Sequence, residues 1–125
     1  MRVLLVDDDP KVRSAVRAVL QEAGHKVSEA SFGEAALARL RSEPPDVVLL
    51  DLVLPDAGGA ELLGRIRGTP EAARVPVVAF TGYYSTPAEA RAGAPGFDGY
   101  VVKPFQGRRL LDALAAVAPG RPRSD

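Results

Sequence analysis

Short, nearly unbroken apolar runs alternate with amphipathic stretches along this chain, and that alternation limits the folds open to it. Arg2-Val3-Leu4-Leu5-Val6 and Asp46-Val47-Val48-Leu49-Leu50-Asp51 are apolar at consecutive interior positions. A strand with one wet face would alternate polar and apolar residues, so runs of this kind predict parallel strands covered on both faces. Between the two runs, Asp9 and Pro10 open a helix, Asp as cap and Pro in the first turn. Val12, Val16, Val19, Leu20 and Ala23 then recur at helical spacing, and Gly24 closes the segment.

The same unit repeats. Lys26 to Ala30 reads as a strand and Glu34 to Arg41 as a helix with Leu37 and Leu40 inward, ended by Ser42-Glu43-Pro44-Pro45. After the strand ending at Asp51, a Pro/Gly loop at Pro55 to Gly59 leads into a helix carrying Leu62, Leu63 and Ile66. Val75 to Thr81 is a fourth strand, Pro87 to Ala94 a short helix, Tyr100 to Val102 a fifth strand. Phe105 to Val117 is a last helix, with Leu110, Leu111, Leu114 and Val117. Residues 1–118 form one domain, and the polar, Pro/Gly-rich tail 119–125 is expected to fray. Five strand–helix units in series predict an α/β domain, a parallel sheet with helices on both faces.

Composition narrows the chemistry. The 125 residues suit one domain. Sixteen basic and sixteen acidic side chains cancel, which gives no electrostatic footing for nucleic acid or a membrane surface. With no cysteine and one histidine, disulfides, thiolate chemistry and Cys/His metal clusters are excluded. The start, MRVLLVDDDP, is neither a signal peptide nor a membrane span, so a cytoplasmic location is expected. His25, after Gly24, reads as a surface residue.

Parallel α/β sheets place function at the carboxyl ends of their strands. There stand Asp7, Asp8 and Asp9 after strand one, Asp51 after strand three, Thr81 after strand four, and Lys103-Pro104 after strand five. If strand one lies between two and three, with four and five beyond, these groups converge on one rim. Gathered carboxylates repel one another, and a hard divalent cation such as Mg²⁺ answers that repulsion with oxygen ligands. A metal, a lysine and a hydroxyl around one carboxylate suit a phosphoryl group attacked in line. Asp9 is set apart as the helix cap.

Four motifs carry a family resemblance: Val6-Asp7-Asp8; Asp51-Leu52-Val53-Leu54-Pro55 with Gly59 and Glu61 following; Thr81-Gly82; and Tyr100 three residues before Lys103-Pro104-Phe105. In this order and at these separations the chain resembles response-regulator receiver domains, from residue 2 to about 118. The resemblance implies a flavodoxin-like doubly wound fold, a five-stranded sheet in order 2-1-3-4-5 with five helices. It implies a signalling phosphoacceptor rather than an enzyme in the ordinary sense. Asp51 would receive a phosphoryl group from a sensor histidine kinase or a histidine phosphotransfer protein, with Mg²⁺. Asp8 and Asp51 would be direct Mg²⁺ ligands, Asp7 would act through water, and the backbone carbonyl of Val53 would complete the protein ligands. Lys103 and Thr81 would hold phosphoryl oxygens, and Lys103-Pro104 would be cis. Thr81 and Tyr100 would switch a surface made of helix 4, strand 5 and helix 5. The downstream target stays open, as does the choice between a stand-alone receiver and part of a longer regulator.

The chain departs from the family pattern at three places. Val53, two residues after the acceptor, has no polar side chain; Tyr83, two after Thr81, is a large ring followed by Tyr84. Members that lose the phosphoryl group fast tend to be polar at those two positions. The stretch usually written Ala-Gly-Ala-Asp reads Pro95-Gly96-Phe97-Asp98. Three rival functions remain to be weighed. A phosphohydrolase of the haloacid-dehalogenase type wants an acid two places after its nucleophile, where Val53 stands. A nucleotide-binding domain wants a Gly-rich loop after strand one, where the chain has Asp7-Asp8-Asp9. A receiver-like docking module that is never phosphorylated would have no need of the intact acidic residues and lysine.

Overall fold

The computed structural model describes residues 1–118; the expected fraying of 119–125 lies outside them. The order of elements is β1 (Arg2–Val6), α1 (Pro10–Glu22), β2 (Lys26–Ala30), α2 (Gly33–Ser42), β3 (Val47–Asp51), α3 (Gly59–Arg67), β4 (Val77–Thr81), α4 (Pro87–Gly93), β5 (Gly99–Val102) and α5 (Gly107–Val117). The strands form one parallel sheet in the order β2-β1-β3-β4-β5.

The consecutive apolar residues divide between two cores, as the period of two in a strand requires. Leu4, Val6, Val48, Leu50, Val77 and Ala79 face α2, α3 and α4, meeting Leu37, Leu40, Leu62, Ile66 and Ala90. Val3, Leu5, Val47, Leu49, Val78 and Phe80 face α1 and α5, meeting Val16, Leu20, Leu110 and Leu114. The central strands β3 and β4 are buried at every position. That burial explains their unbroken apolar sequence.

Helix starts follow local chemistry where the sequence offers a cap. The Asp9 carboxylate accepts from the Lys11 amide at 2.9 Å, and Pro10 fills the first turn of α1. Gly24 takes φ +91°, a conformation that favours glycine, just past α1. Thr86 caps α4 through the Glu89 amide at 3.1 Å, and the Glu89 carboxylate reaches back to the Ser85 amide at 3.2 Å.

Several boundaries differ from the sequence expectation, each for a physical reason. β4 begins at Val77 rather than Val75, because Pro76 has no amide to donate and Arg67 takes the Val75 carbonyl at 2.6 Å. β3 begins at Val47; Asp46 stands outside it and clamps Arg2, accepting from its amide at 2.7 Å and donating to its carbonyl at 2.8 Å. α5 begins at Gly107, and Phe105 instead packs edge-on against Phe80 with ring centroids 5.6 Å apart. His25 is half-buried, its Nδ1 3.1 Å from the amino-terminal nitrogen.

Candidate functional site

Because β1, β3, β4 and β5 are parallel neighbours, their carboxyl ends meet on one rim. Asp7 follows β1, Asp51 ends β3, Thr81 ends β4, and Lys103 follows β5. One carboxylate oxygen from each of Asp7, Asp8 and Asp51 lies within 4.8 Å of the others. Asp7 and Asp51 are buried and Asp8 is exposed, so the cluster opens to solvent on the Asp8 side.

Each carboxylate is held differently. Asp7 Oδ1 accepts from the Asp9 amide at 2.9 Å and Asp7 Oδ2 from Lys103 Nζ at 2.7 Å. The backbone of Asp7 is pinned as well, its amide to the Ala30 carbonyl at 3.1 Å and its carbonyl to the Arg13 guanidinium at 2.6 Å. Asp51 Oδ1 accepts from the Val53 amide at 3.1 Å, and Asp51 Oδ2 lies 3.4 Å from Lys103 Nζ. Burial pushes the Asp51 carboxyl above the usual carboxylate range; the Val53 amide and Lys103 oppose that push, and the charge of Asp7 adds to it. Burial works against the charged form of Lys103. Its hydrogen bond to Asp7 and the charges of Asp51 and Asp7 outweigh it and hold the ammonium above the ordinary lysine value. Lys103 Nζ also lies 4.9 Å from the centroid of the Phe80 ring. The Lys103-Pro104 peptide is cis, as the resemblance implies.

Three carboxylates around one lysine leave the cluster short of positive charge. Hard, closely spaced oxygen donors with one exposed member fit a hard divalent cation that keeps some of its water. Asp9 stays apart, occupied with capping α1.

Val53 is 64% exposed and bridges Gly58 across the loop between β3 and α3. The Gly59 amide closes that loop on the Leu52 carbonyl at 2.9 Å. A Cβ on Gly59 would stand 2.6 Å from Leu52 Cδ2 and 3.0 Å from Leu52 Cα, so only glycine lets the chain turn this tightly.

Thr81 is buried, and its hydroxyl accepts from the Tyr83 amide at 3.0 Å. Tyr83 is 78% exposed and stacks edge-on with Tyr84, centroids 4.9 Å apart. Tyr100 is buried already. Its hydroxyl donates to the Ala94 carbonyl at 2.6 Å and accepts from the Phe97 amide at 3.3 Å, while Arg91 stands 5.0 Å from the ring centroid. Tyr100, expected to take part in the switch, is thus packed in the core and tied to the segment between α4 and β5.

Sequence reasoning missed the roles of two aspartates, Asp56 in the loop that follows the acceptor and Asp98 at the opposite edge of the sheet. Asp56 binds the start of α2, accepting from the Gly33 amide at 2.7 Å and the Glu34 amide at 3.1 Å. Asp98 accepts from the Val77 amide at 2.8 Å and from Arg67 at 2.9 Å, fixing the start of β4. The signal for the first was present but indirect: α2 begins at a Phe-Gly pair with no capping side chain of its own.

Comparison with known proteins agrees with this fold. The family model described as the response regulator receiver domain matches residues 3–115. The transcriptional regulatory protein AfsQ1 of Streptomyces coelicolor is 39% identical over 111 residues, covering 89% of this chain and 48% of AfsQ1. The chain thus spans about half the length of that relative. The structure of chemotaxis response regulator CheY4 of Vibrio cholerae superposes with a TM-score of 0.83 at 33% identity, covering 93% of this chain and 97% of CheY4. The receiver domain of sensor histidine kinase PA1611 from Pseudomonas aeruginosa, solved with a magnesium ion coordinated in its active site cleft, gives a TM-score of 0.81 at 26% identity, covering 93% and 96%.

Proposed function

The chain belongs to the response regulator receiver domain family, and from that premise we propose that it is a phosphoacceptor that receives a phosphoryl group on Asp51 from a histidine kinase or a histidine phosphotransfer protein. The observation that carries this reading is the placement of the Asp51 carboxylate at the end of β3, beside Asp7 and Asp8 and 3.4 Å from Lys103 Nζ.

In the proposed reaction an oxygen of Asp51 forms a bond to phosphorus. The phosphorus–nitrogen bond of the donor's phosphohistidine breaks, and the imidazole leaves with the electron pair. Asp8, Asp51 and the Val53 carbonyl would hold Mg²⁺, with Asp7 acting through water; the cluster of Asp7, Asp8 and Asp51 supports a cation here, as does the magnesium ion in the cleft of the PA1611 receiver domain. A cation bound there would supply positive charge to offset that of the phosphoryl oxygens. Lys103 leaves its close contact with Asp7 to pair with a phosphoryl oxygen, and the Thr81 hydroxyl takes another. Asp51 must be ionised to attack, and Lys103 favours that form against the cost of burial.

The phosphoryl group then biases an existing equilibrium of the surface made by α4, β5 and α5. Thr81 and Tyr100 form the proposed link. Drawing the Thr81 hydroxyl toward phosphorus releases the Tyr83 amide it now holds, and the loop so freed leads directly into α4. Tyr100 couples α4 to β5 through the Ala94 carbonyl and the Phe97 amide. The chain acts in this reading as a cytoplasmic signalling module. Among the described residues no helix is long and apolar enough to cross a membrane.

Incubation with acetyl phosphate and Mg²⁺, followed by intact-mass measurement, tests the proposal. A gain of one phosphoryl group that is lost in Asp51→Asn supports it. A label on another residue, or none with Mg²⁺ present, overturns it.

A further inference from the structure

Helix α2 has Phe32 at its N-cap position, a side chain that accepts no hydrogen bond. The first amides of a helix have no partner within it, so an acceptor must come from elsewhere. Asp56 is that acceptor, from the loop between β3 and α3. Its Oδ1 lies 2.7 Å from the Gly33 nitrogen and its Oδ2 3.1 Å from the Glu34 nitrogen. These amides, that of Gly33 first, hold the Asp56 carboxyl below the usual carboxylate range.

The approach is close. A Cβ on Gly33 would stand 3.3 Å from both Ala57 Cβ and Asp56 Oδ1. Arg65 in the last turn of α3 pairs with Glu34 at 2.7 Å, so α2 is tied both to this loop and to the helix that follows it. The loop itself is anchored from beneath by Leu54 and Ala57, which are buried, while Val53 is exposed on its outer side. Asp56 is thus the side-chain restraint that fixes the outer part of this loop laterally, against a helix.

We propose that Asp56 is a positioning residue for the divalent-cation site. By capping α2 it holds the loop segment carrying Val53 in place relative to Asp8 and Asp51, so cation affinity depends on a carboxylate that does not touch the cation. The inference rests on the function proposed above. Coupling of this kind is reciprocal, so cation binding also strengthens the cap.

The test is calorimetric titration of the whole chain with Mg²⁺, alongside urea unfolding in EDTA, for Asp56→Ala, Asp56→Asn and Gly33→Ala. Residues that orient metal ligands change affinity by about tenfold or more. Asp56→Ala is expected to weaken Mg²⁺ binding by about tenfold. Asp56→Asn keeps an oxygen that accepts from Gly33 and recovers most of that loss although the charge is gone. Gly33→Ala, which changes no charge, weakens binding by crowding the loop. In the unmutated chain Mg²⁺ shifts the Gly33 and Glu34 amide resonances, and in Asp56→Ala it does not. Should Asp56→Ala fail to fold, Asp56→Asn and Gly33→Ala still decide the matter. Unchanged affinity in Asp56→Ala overturns the inference and leaves the proposed function standing. So does a loss in Asp56→Asn equal to that in Asp56→Ala with Gly33→Ala unaffected, because charge alone would then explain it. Absence of Mg²⁺ binding in the unmutated chain overturns both.

Discussion

Lys103 Nζ stands 2.7 Å from Asp7 Oδ2 and 3.4 Å from Asp51 Oδ2, so the lysine is paired more closely with the acceptor's neighbour than with the acceptor. Asp7 is fully buried and Lys103 partly so. Removing the lysine strands a buried carboxylate, a change that costs about 3 kcal/mol when a pair is fully enclosed and less when water reaches it. Lys103→Ala is therefore expected to lose about 1–3 kcal/mol in EDTA. Adding Asp7→Asn should restore part of that loss, and a double-mutant cycle by urea unfolding measures the coupling. Because the folded state raises the Lys103 pKa, its contribution is present at and below neutral pH and fades only as alkaline pH passes the folded value.

Asp51 runs the other way. Its pKa is raised on folding, chiefly by burial, so the native state binds the proton more tightly than the unfolded chain does. The penalty of ionised Asp51 is absent below the unfolded carboxylate pKa and grows until pH passes the folded value. In EDTA, Asp51→Asn should accordingly exceed the unmutated chain in stability at neutral pH, with the advantage shrinking as pH falls through the carboxylate range. Unfolding curves at a series of pH values check this. A difference between the two proteins that is the same at pH 7 and at about pH 3, or absent at both, would contradict it.

Mg²⁺ should raise the melting temperature, because the folded cluster binds it and the unfolded chain does not. At a concentration ten times the dissociation constant the gain is about 1.4 kcal/mol. Asp8→Ala removes an exposed member of the cluster, so its stability in EDTA should be unchanged or slightly higher. Its response to Mg²⁺ should vanish. Thermal scans with and without the metal separate the two effects.

The phosphoryl group should be long-lived. Val53 offers only methyl groups to a hydrolytic water, and Tyr83 is largely exposed, with its ring against that of Tyr84. Neither position carries a carboxylate or amide side chain to orient that water. The Val53→Asn, Tyr83→Glu double variant is expected to lose phosphate faster than the unmutated chain after the donor is removed. Rapid loss from the unmutated chain, or no acceleration in the double variant, would refute the expectation.

Much of the architecture was legible in the residues alone. Apolar residues at consecutive positions in Val47–Leu50 demanded cover on both faces, and the two cores supply it. Asp9-Pro10 announced α1 because capping acts within one helical turn. The polar residues that end the strands were visible as such. Their convergence was not, because nothing within a strand specifies which strand lies beside it. The sheet order came from the family resemblance, and the register of β1 between β2 and β3 delivers it. Other contacts belong to the closed structure alone. Asp56 and Gly33 are 23 residues apart, and Arg67 and Asp98 are 31 apart. The Tyr100 hydroxyl is held by the Ala94 carbonyl and the Phe97 amide, contacts that no spacing in the sequence announces. Propensity, periodicity and capping act over a few residues, so the sequence by itself determined which segments are strands and helices and which face of each is apolar. How the layers close decides which distant donors and acceptors lose their water together, and only the tertiary structure settled that.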